Sequence, residues 1–224
     1  MDVVLLGAGG HAKDTIKNIE EYNSEVSAKK ILNIVGCLDD VNKIKNGAEI
    51  LGYPVLSSFD ILTKKPFKGI RVICAVGDPV AKKKLVAKAK TRRLRFFTFI
   101  HPSVAIHRST KIGEGVNIFS SSVISAACSI GDHVSINYAC SINHDCTISE
   151  FATISPGVRL GGKCSIGAYV FLGINACTVH GITLGDWSVL GAGATAIKDI
   201  ANCTIAVGSP SQPINKRDKN RAIL

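Results

Sequence analysis

Residues 142–160 read INHDCTISEFATISPGVRL, and Ile142, Ile148, Ile154 and Leu160 stand six apart. The same step continues backward through Ile136, Ile130, Ile124, Ile118, Ile112 and Ile106. Forward it reaches Ile166, Leu172, Thr178, Leu184, Leu190 and Ala196. Fourteen of these sixteen positions are Ile or Leu. Two residues before each stands a small or β-branched residue, as in Val134, Cys140, Cys146, Ala152 and Val158. Gly or Asn often follows the aliphatic, as at Gly113, Gly131, Asn143, Gly161 and Gly173.

A helix repeats every 3.6 residues and a strand every 2, so a strict six requires another structure. One short strand and one turn use six residues, and the small residue and the aliphatic share one face of the strand. Gly or Asn after the aliphatic suits a turn with left-handed backbone dihedrals. Three units close a triangular coil of eighteen residues, and stacked coils form a hexapeptide-repeat parallel β-helix. No coil is stable alone, because each buries its inward pair on its neighbours. The spacing does not determine the handedness.

Four of the eight cysteines, Cys128, Cys140, Cys146 and Cys164, fall in the small inward slot and read as small hydrophobes. Cys140, His144 and Cys146 imitate a metal cluster, but the two thiols should point inward and the imidazole outward. There is no CxxC pair, and no metal is expected.

Ahead of the repeat the pattern changes. Val3 to Leu6 reads as a buried strand, followed by Gly7-Ala8-Gly9-Gly10-His11-Ala12 and a helical stretch. Gly7, Gly9 and Ala12 fit G-x-G-x-x-A, in which glycines admit an anion to a helix N-terminus. Ile34 to Leu38 reads as a second strand ending in Asp39-Asp40. These two carboxylates can accept hydrogen bonds from a ribose or a base edge, or can simply form a turn. Arg71 to Val76 reads as a third strand. Asp78 caps the next helix, with Pro79 at its first position. Lys82, Lys83 and Lys84 read as that helix's wet side. Phe96 to Ile100 reads as a last strand, and His101-Pro102 marks the handover to the repeat. The polar tail from Lys216 is expected to be mobile at its end. The architecture is therefore a small Rossmann-like parallel α/β domain over residues 1–100, then the β-helix and tail over residues 101–224.

The net charge of +10 is uneven: residues 1–100 carry 18 Lys and Arg against 10 Asp and Glu, and residues 101–224 carry 9 against 7. A basic first half suits a polyanionic ligand. Without interleaved aromatics or a binding motif, nucleic acid is not the expected partner. No apolar run reaches membrane-spanning length and the first residues do not form a leader, so a soluble cytoplasmic protein is expected.

His144 follows the turn residue Asn143 and should project from the prism, with Asp145 beside it. A carboxylate at an imidazole holds one tautomer, which a general base needs. An exposed histidine without a role is the alternative.

Gly9-Gly10-His11, Asp39-Asp40, His101-Pro102-Ser103, Ile142-Asn143-His144-Asp145-Cys146 and Phe171-Leu172-Gly173-Ile174-Asn175 occur in this order. Together they resemble the bacterial nucleotide-sugar N-acetyltransferases of the PglD, PerB and VioB type, and the related NeuD-type sialic acid O-acetyltransferases. The resemblance covers nearly the whole chain and implies a left-handed β-helix, an exception to the usual crossover hand. It implies an acetyl-CoA-dependent enzyme of polysaccharide biosynthesis that acetylates the 4-amino group of a nucleotide-linked 4-amino-4,6-dideoxy sugar. His144 would be the general base and Asp145 its orienting carboxylate. Gly9, Gly10, His11, Asp39, Asp40 and Gly77 would hold the nucleotide-diphosphate sugar. Acetyl-CoA would contact Gly162, Ile174 and Ala192 in a groove between subunits of a homotrimer. The chain departs from the family at Thr153, where a second histidine is usual, and at Asp145, where Glu is common. O-acetylation of a sialic acid, a non-catalytic trimeric scaffold and an NAD(P)-dependent enzyme are the rival readings. The last lacks the acidic residue about twenty positions beyond the glycines.

Overall fold

The computed structural model describes residues 1–39, 48–63, 67 and 69–223. The sixteen hexads form sixteen two-residue strands, from Ala105–Ile106 to Thr195–Ala196. They sort into three parallel sheets, the faces of a left-handed prism. From Ala105–Ile106 to Cys177–Thr178 each strand pairs with the one eighteen residues on: Ile118 meets Ile136, which meets Ile154, which meets Leu172. The aliphatics and slot residues fill a continuous interior, in which Val134, Cys146, Ile154 and Leu172 are all fully buried.

Two details differ from the expectation. The left-handed residue is not the Gly or Asn after the aliphatic. It stands three places after it: Ser121, Ala127, His133, Ala139, Asp145, Phe151, Lys163, Tyr169, Asn175 and Trp187 have φ between 53° and 62°. The glycine directly after the aliphatic answers to the neighbouring coil instead. A Cβ at Gly161 would lie 2.6 Å from the backbone nitrogen of His180, and one at Gly131 2.8 Å from that of Glu150. The cysteines do occupy the inward slot, but they are also donors. Cys128 Sγ reaches the Asn143 carbonyl at 3.1 Å, Cys140 that of Ser155 at 3.2 Å and Cys146 that of Gly161 at 3.1 Å. Ser122 makes the same bond to Asn137 at 2.8 Å. A thiol or hydroxyl in the slot thus satisfies a turn carbonyl fifteen residues on, a donor that the alanines and valines at other slots do not supply.

The α/β domain has strands β1 (Asp2–Leu6), β2 (Asn33–Leu38), β3 (Glu49–Ile50), β4 (Tyr53–Leu56), β5 (Arg71–Cys74) and β6 (Arg95–Phe96). Their order is β3-β4-β2-β1-β5-β6, parallel except for the β3–β4 hairpin. Central β1 is apolar on both faces because helices and loops cover both. Helix α1 (Gly10–Glu25) follows the glycine turn, and α2 (Pro79–Thr91) starts as expected, with Asp78 Oδ1 accepting from Ala81 N at 2.8 Å. The expected strand over residues 96–100 is two strands. Arg95–Phe96 ends the α/β sheet, while Phe99–Ile100 (β7) pairs with Asn117–Ile118 as the first rung of the prism. Thr98, between them, bonds to the Gly113 carbonyl at 3.1 Å where the chain changes sheets.

Lys82 is a correction. It is 1% exposed and does not lie on a wet face. It shares α2's buried stripe with Pro79, Val86 and Ala89, in helical phase. The tail also differs from expectation. Arg217 is buried, donates to the Tyr169 carbonyl at 2.8 Å and lies over the Trp187 ring, and Ile223 N donates to Asp78 Oδ2 at 2.8 Å.

One corner of the prism carries an aromatic column eighteen residues apart: His133, Phe151, Tyr169 and Trp187, with centroid separations of 5.1, 5.1 and 4.1 Å. Both His133 ring nitrogens are buried without partners, and burial, then Lys90, pushes its pKa down to about 4. His11 is pushed down to about 3 by burial, then by Lys82. Each binds a proton more readily when unfolded, so stability is lost as pH falls from the ordinary histidine value towards these folded values. His133→Phe continues the column and removes one such group. Its melting temperature is expected to fall less than the wild type's between about pH 7 and pH 4, by roughly 4 °C or more. Parallel melting curves of the two proteins check this.

Candidate active site

Two clusters carry chemistry. The first lies at the carboxyl edge of β1, β2 and β5. Gly7 adopts φ 118°, and its N–H bonds the Leu38 carbonyl at 2.7 Å. A Cβ there would press on Val76 and the Ala75 carbonyl, so only glycine lets the strand turn this tightly. Gly9 is the N-cap of α1, and no side chain caps that helix. A Cβ on Gly9 or Gly10 would meet nothing within 4 Å, so the space in front of the helix N-terminus is open. That is the geometry of an anion cradle. His11 stacks on Phe119 at 5.3 Å, and its ring faces Gly77, where a Cβ would sit 3.8 Å away. Asp39 is 7% exposed at the end of β2. Gly9, Gly10, His11, Asp39 and Gly77 thus lie on the same edge of the α/β sheet, whereas Asp40 lies outside the described residues.

This edge is pinned to the prism. Asn117 Nδ2 donates to the Cys74 carbonyl at 2.8 Å, Thr153 Oγ1 to the Gly77 carbonyl at 2.6 Å and Tyr138 OH to the Asp14 carbonyl at 3.1 Å. Ser120 N donates to Asn18 Oδ1 at 3.0 Å.

The second cluster sits at the prism corner formed by turns 125–128, 143–146, 161–164 and 179–182. His144 Nδ1 is 2.8 Å from Asp145 Oδ2, and the side chains are 53% and 49% exposed. Asp145 takes the left-handed turn position, with φ 60°, which an aspartate tolerates well. With Nδ1 donating to the carboxylate, Nε2 keeps its lone pair for a proton arriving from outside. Eighteen residues on, Gly162 lies against the ring: a Cβ there would fall 2.7 Å from Cε1 and Nε2. His180, one coil further, has its ring centroid 6.1 Å from that of His144. The corner is rigidly built. The carbonyls of Asn143 and Gly161, before His144 and Gly162, accept the thiols of Cys128 and Cys146, and Lys163 N donates to the His144 carbonyl at 2.8 Å.

The remaining expected contacts do not join this corner in one chain. Ile174, 54% exposed, and Ala192 stand one coil apart at the corner of turns 173–176 and 191–194. Phe119 and Tyr138, beside the glycine turn, belong to the same corner. The face of Val123, Ser141, Arg159 and Cys177 separates it from His144 and Gly162. A hollow of about 270 Å³ opens at the opposite, amino-terminal edge of the α/β sheet, lined by Met1, Asp2, Val35 and Arg71 among others, and touches neither cluster.

Among the described residues, no group of three His, Cys, Asp or Glu side chains converges as a metal site, and Cys140 and Cys146 face inward. Among the same residues, no helix is long and apolar enough to cross a membrane. Sequence reasoning missed the Lys82–Thr153 contact to Gly77. Lys82's phase with Pro79, Val86 and Ala89 was its only trace. The approach of His180 to His144 was latent in their separation of two coil lengths.

Residues 2–89 match the PglD N-terminal domain family. A solved structure of PerB from Caulobacter crescentus, in complex with CoA and GDP-perosamine, is 29% identical and superposes with a TM-score of 0.82 over 96% of this chain and 98% of that one. The acetyltransferase domain of PglB from Neisseria gonorrhoeae, in complex with acetyl coenzyme A, is 27% identical, with a TM-score of 0.81 over 95% and 98%. Among curated proteins, one named as an acetyltransferase in Schizosaccharomyces pombe is 43% identical over 60 residues, 27% of this chain and 29% of its own length. The chain therefore spans less than a third of the curated relatives it matches first.

Proposed function

We propose, for a chain that carries a PglD-type N-terminal domain and shares the architecture of the PglD/PerB-type N-acetyltransferases along nearly its whole length, acetyl transfer from acetyl-CoA to the 4-amino group of a nucleotide-linked 4-amino-4,6-dideoxy sugar. The observation that carries this reading is the His144–Asp145 pair, 2.8 Å apart on an open prism corner.

The amine attacks the thioester carbon, a C–N bond forms and the C–S bond breaks. The amine's surplus proton passes to His144 Nε2 and then to the departing thiolate or to water. Asp145 fixes the tautomer and offsets the imidazolium charge. A positioned base of this kind contributes about 10²–10⁴-fold. The glycine turn, His11, Asp39 and Gly77 hold the nucleotide, with the diphosphate at the start of α1. Ile174 and Ala192 stand at a different corner from Gly162, so a coenzyme touching all three bridges two chains. A homotrimer with its grooves between prisms meets that requirement. The excess of Lys and Arg in residues 1–100 favours the anionic sugar nucleotide.

Asp145→Asn keeps a hydrogen-bonding side chain beside His144 and removes its charge. It is expected to lower kcat roughly 10- to 100-fold with little change in either KM, read from steady-state thiol release.

The test of the function is a panel. The protein is incubated with acetyl-CoA and UDP-, GDP- or dTDP-linked 4-amino-4,6-dideoxy sugars, CMP-sialic acid or free sialic acid, and CoA release and product mass are followed. One nucleotide amino sugar is expected to gain an acetyl group. Turnover with sialic acid substrates alone would replace this reading with O-acetylation, and failure to bind CoA would favour a scaffold.

A further inference from the structure

Among the described residues, the ammonium of Lys82 is buried and this chemistry does not use it. Lys82 Nζ donates to Ser135 Oγ at 2.8 Å, Thr153 Oγ1 at 3.0 Å and the Ala152 carbonyl at 3.4 Å. All three acceptors are neutral and all three belong to the prism. Thr153 passes its own hydrogen to the Gly77 carbonyl, so the ammonium braces the turn on the carboxyl edge of β5. Asp78, an acid that acts on it electrostatically, spends its two oxygens on the N–H groups of Ala81 and Ile223.

Neutral hydrogen bonds recover only part of the cost of burying a charge. A methionine at this position would fill the space without that cost. Burial pushes the ammonium down to about 8, so it remains mostly charged at neutral pH. His11, whose ring faces Gly77, is held neutral by burial and by the charge of Lys82. The open space before Gly9 and Gly10 is therefore backed by a helix N-terminus, a neutral imidazole and a fixed cation.

We propose that Lys82 is a positioning residue for the anionic end of the nucleotide. Its buried charge makes the crevice of Gly9, Gly10, His11 and Gly77 electropositive from beneath, and its bond to Thr153 holds the Gly77 turn where the diphosphate lies. The inference rests on the nucleotide-sugar reading above. A charge inside the protein is screened less than one at the surface, so it acts on a ligand it does not touch.

The experiment titrates wild type, Lys82→Met, Lys82→Gln and Lys82→Arg with UDP, GDP, dTDP, the matching nucleosides and CoA. The nucleoside diphosphate that wild type prefers is expected to bind both neutral variants at least about tenfold more weakly. Nucleoside and CoA affinities are expected to hold, and Lys82→Arg to stay within about threefold of wild type. Lys82→Gln retains hydrogen-bonding capacity towards Ser135 and Thr153 and keeps the comparison available where Lys82→Met does not fold. Equal diphosphate binding by wild type and a folded neutral variant overturns the inference. So does a uniform loss of all three ligand types, which marks a purely structural strut. Wild type that binds none of the diphosphates defeats the nucleotide-sugar reading itself, which is a separate outcome.

Discussion

His144→Ala is expected to lower kcat by about 10²–10⁴-fold, the share a positioned general base supplies, while the melting temperature stays near that of wild type. The imidazole is half exposed at a corner and contributes nothing to the prism interior. What the side chain does provide is an Nε2 aimed outward while Nδ1 is engaged by Asp145. Steady-state kinetics with both substrates saturating, alongside a melting curve, separate the two effects. A variant that keeps its kcat would remove the histidine from the reaction; one that unfolds would make it structural.

Gly162→Ala should be almost as damaging, with less chemistry removed. The backbone accepts alanine, because Gly162 is not among the glycines with positive φ. The new methyl would lie 2.7 Å from Cε1 and Nε2 of His144, inside any tolerable contact. The coil beneath is held by its ladder of backbone bonds, so the exposed ring moves. Misplacing a catalytic group by an ångström can cost on the order of 10²-fold, and a kcat loss of that size is expected. Stability should hardly change. Transfer rates of the His144→Ala, Gly162→Ala double variant should match those of His144→Ala alone at saturating acetyl-CoA if the methyl acts through the ring, and a raised KM for acetyl-CoA would report its contact with the coenzyme.

Much of this was legible because the repeat is so strict. Ile106 to Ala196 in steps of six predicted the strands, the eighteen-residue pairing and the outward direction of His144. Val3 to Leu6 with Gly7, and Asp78 with Pro79, announced the α/β domain through strand hydrophobicity and capping chemistry. What stayed hidden depended on neighbours in space. The period places Gly161 over the backbone of the next coil, but only coordinates show that a Cβ there collides with His180 N. Lys82 read as solvated because lysine usually is. Its burial depends on Ser135 and Thr153, more than fifty residues away in sequence. Thr153, where the resemblance suggested a histidine, is 2% exposed and bonded to Lys82 and Gly77. It serves the domain seam. Gly162, expected as a coenzyme contact, also makes room for the imidazole. The remaining expected coenzyme contacts, Ile174 and Ala192, stand at another corner, a separation that one-dimensional spacing describes only once the three sheets are laid out.

The central claim is that His144 takes the proton of the attacking amine. The position of that amine in a complex of the protein with CoA and its nucleotide 4-amino sugar tests it most directly. The account predicts the sugar nitrogen at hydrogen-bond distance, about 2.6–3.2 Å, from His144 Nε2, with the CoA sulfur on its far side. An amine bonded to a different base, with His144 turned to solvent, would contradict it.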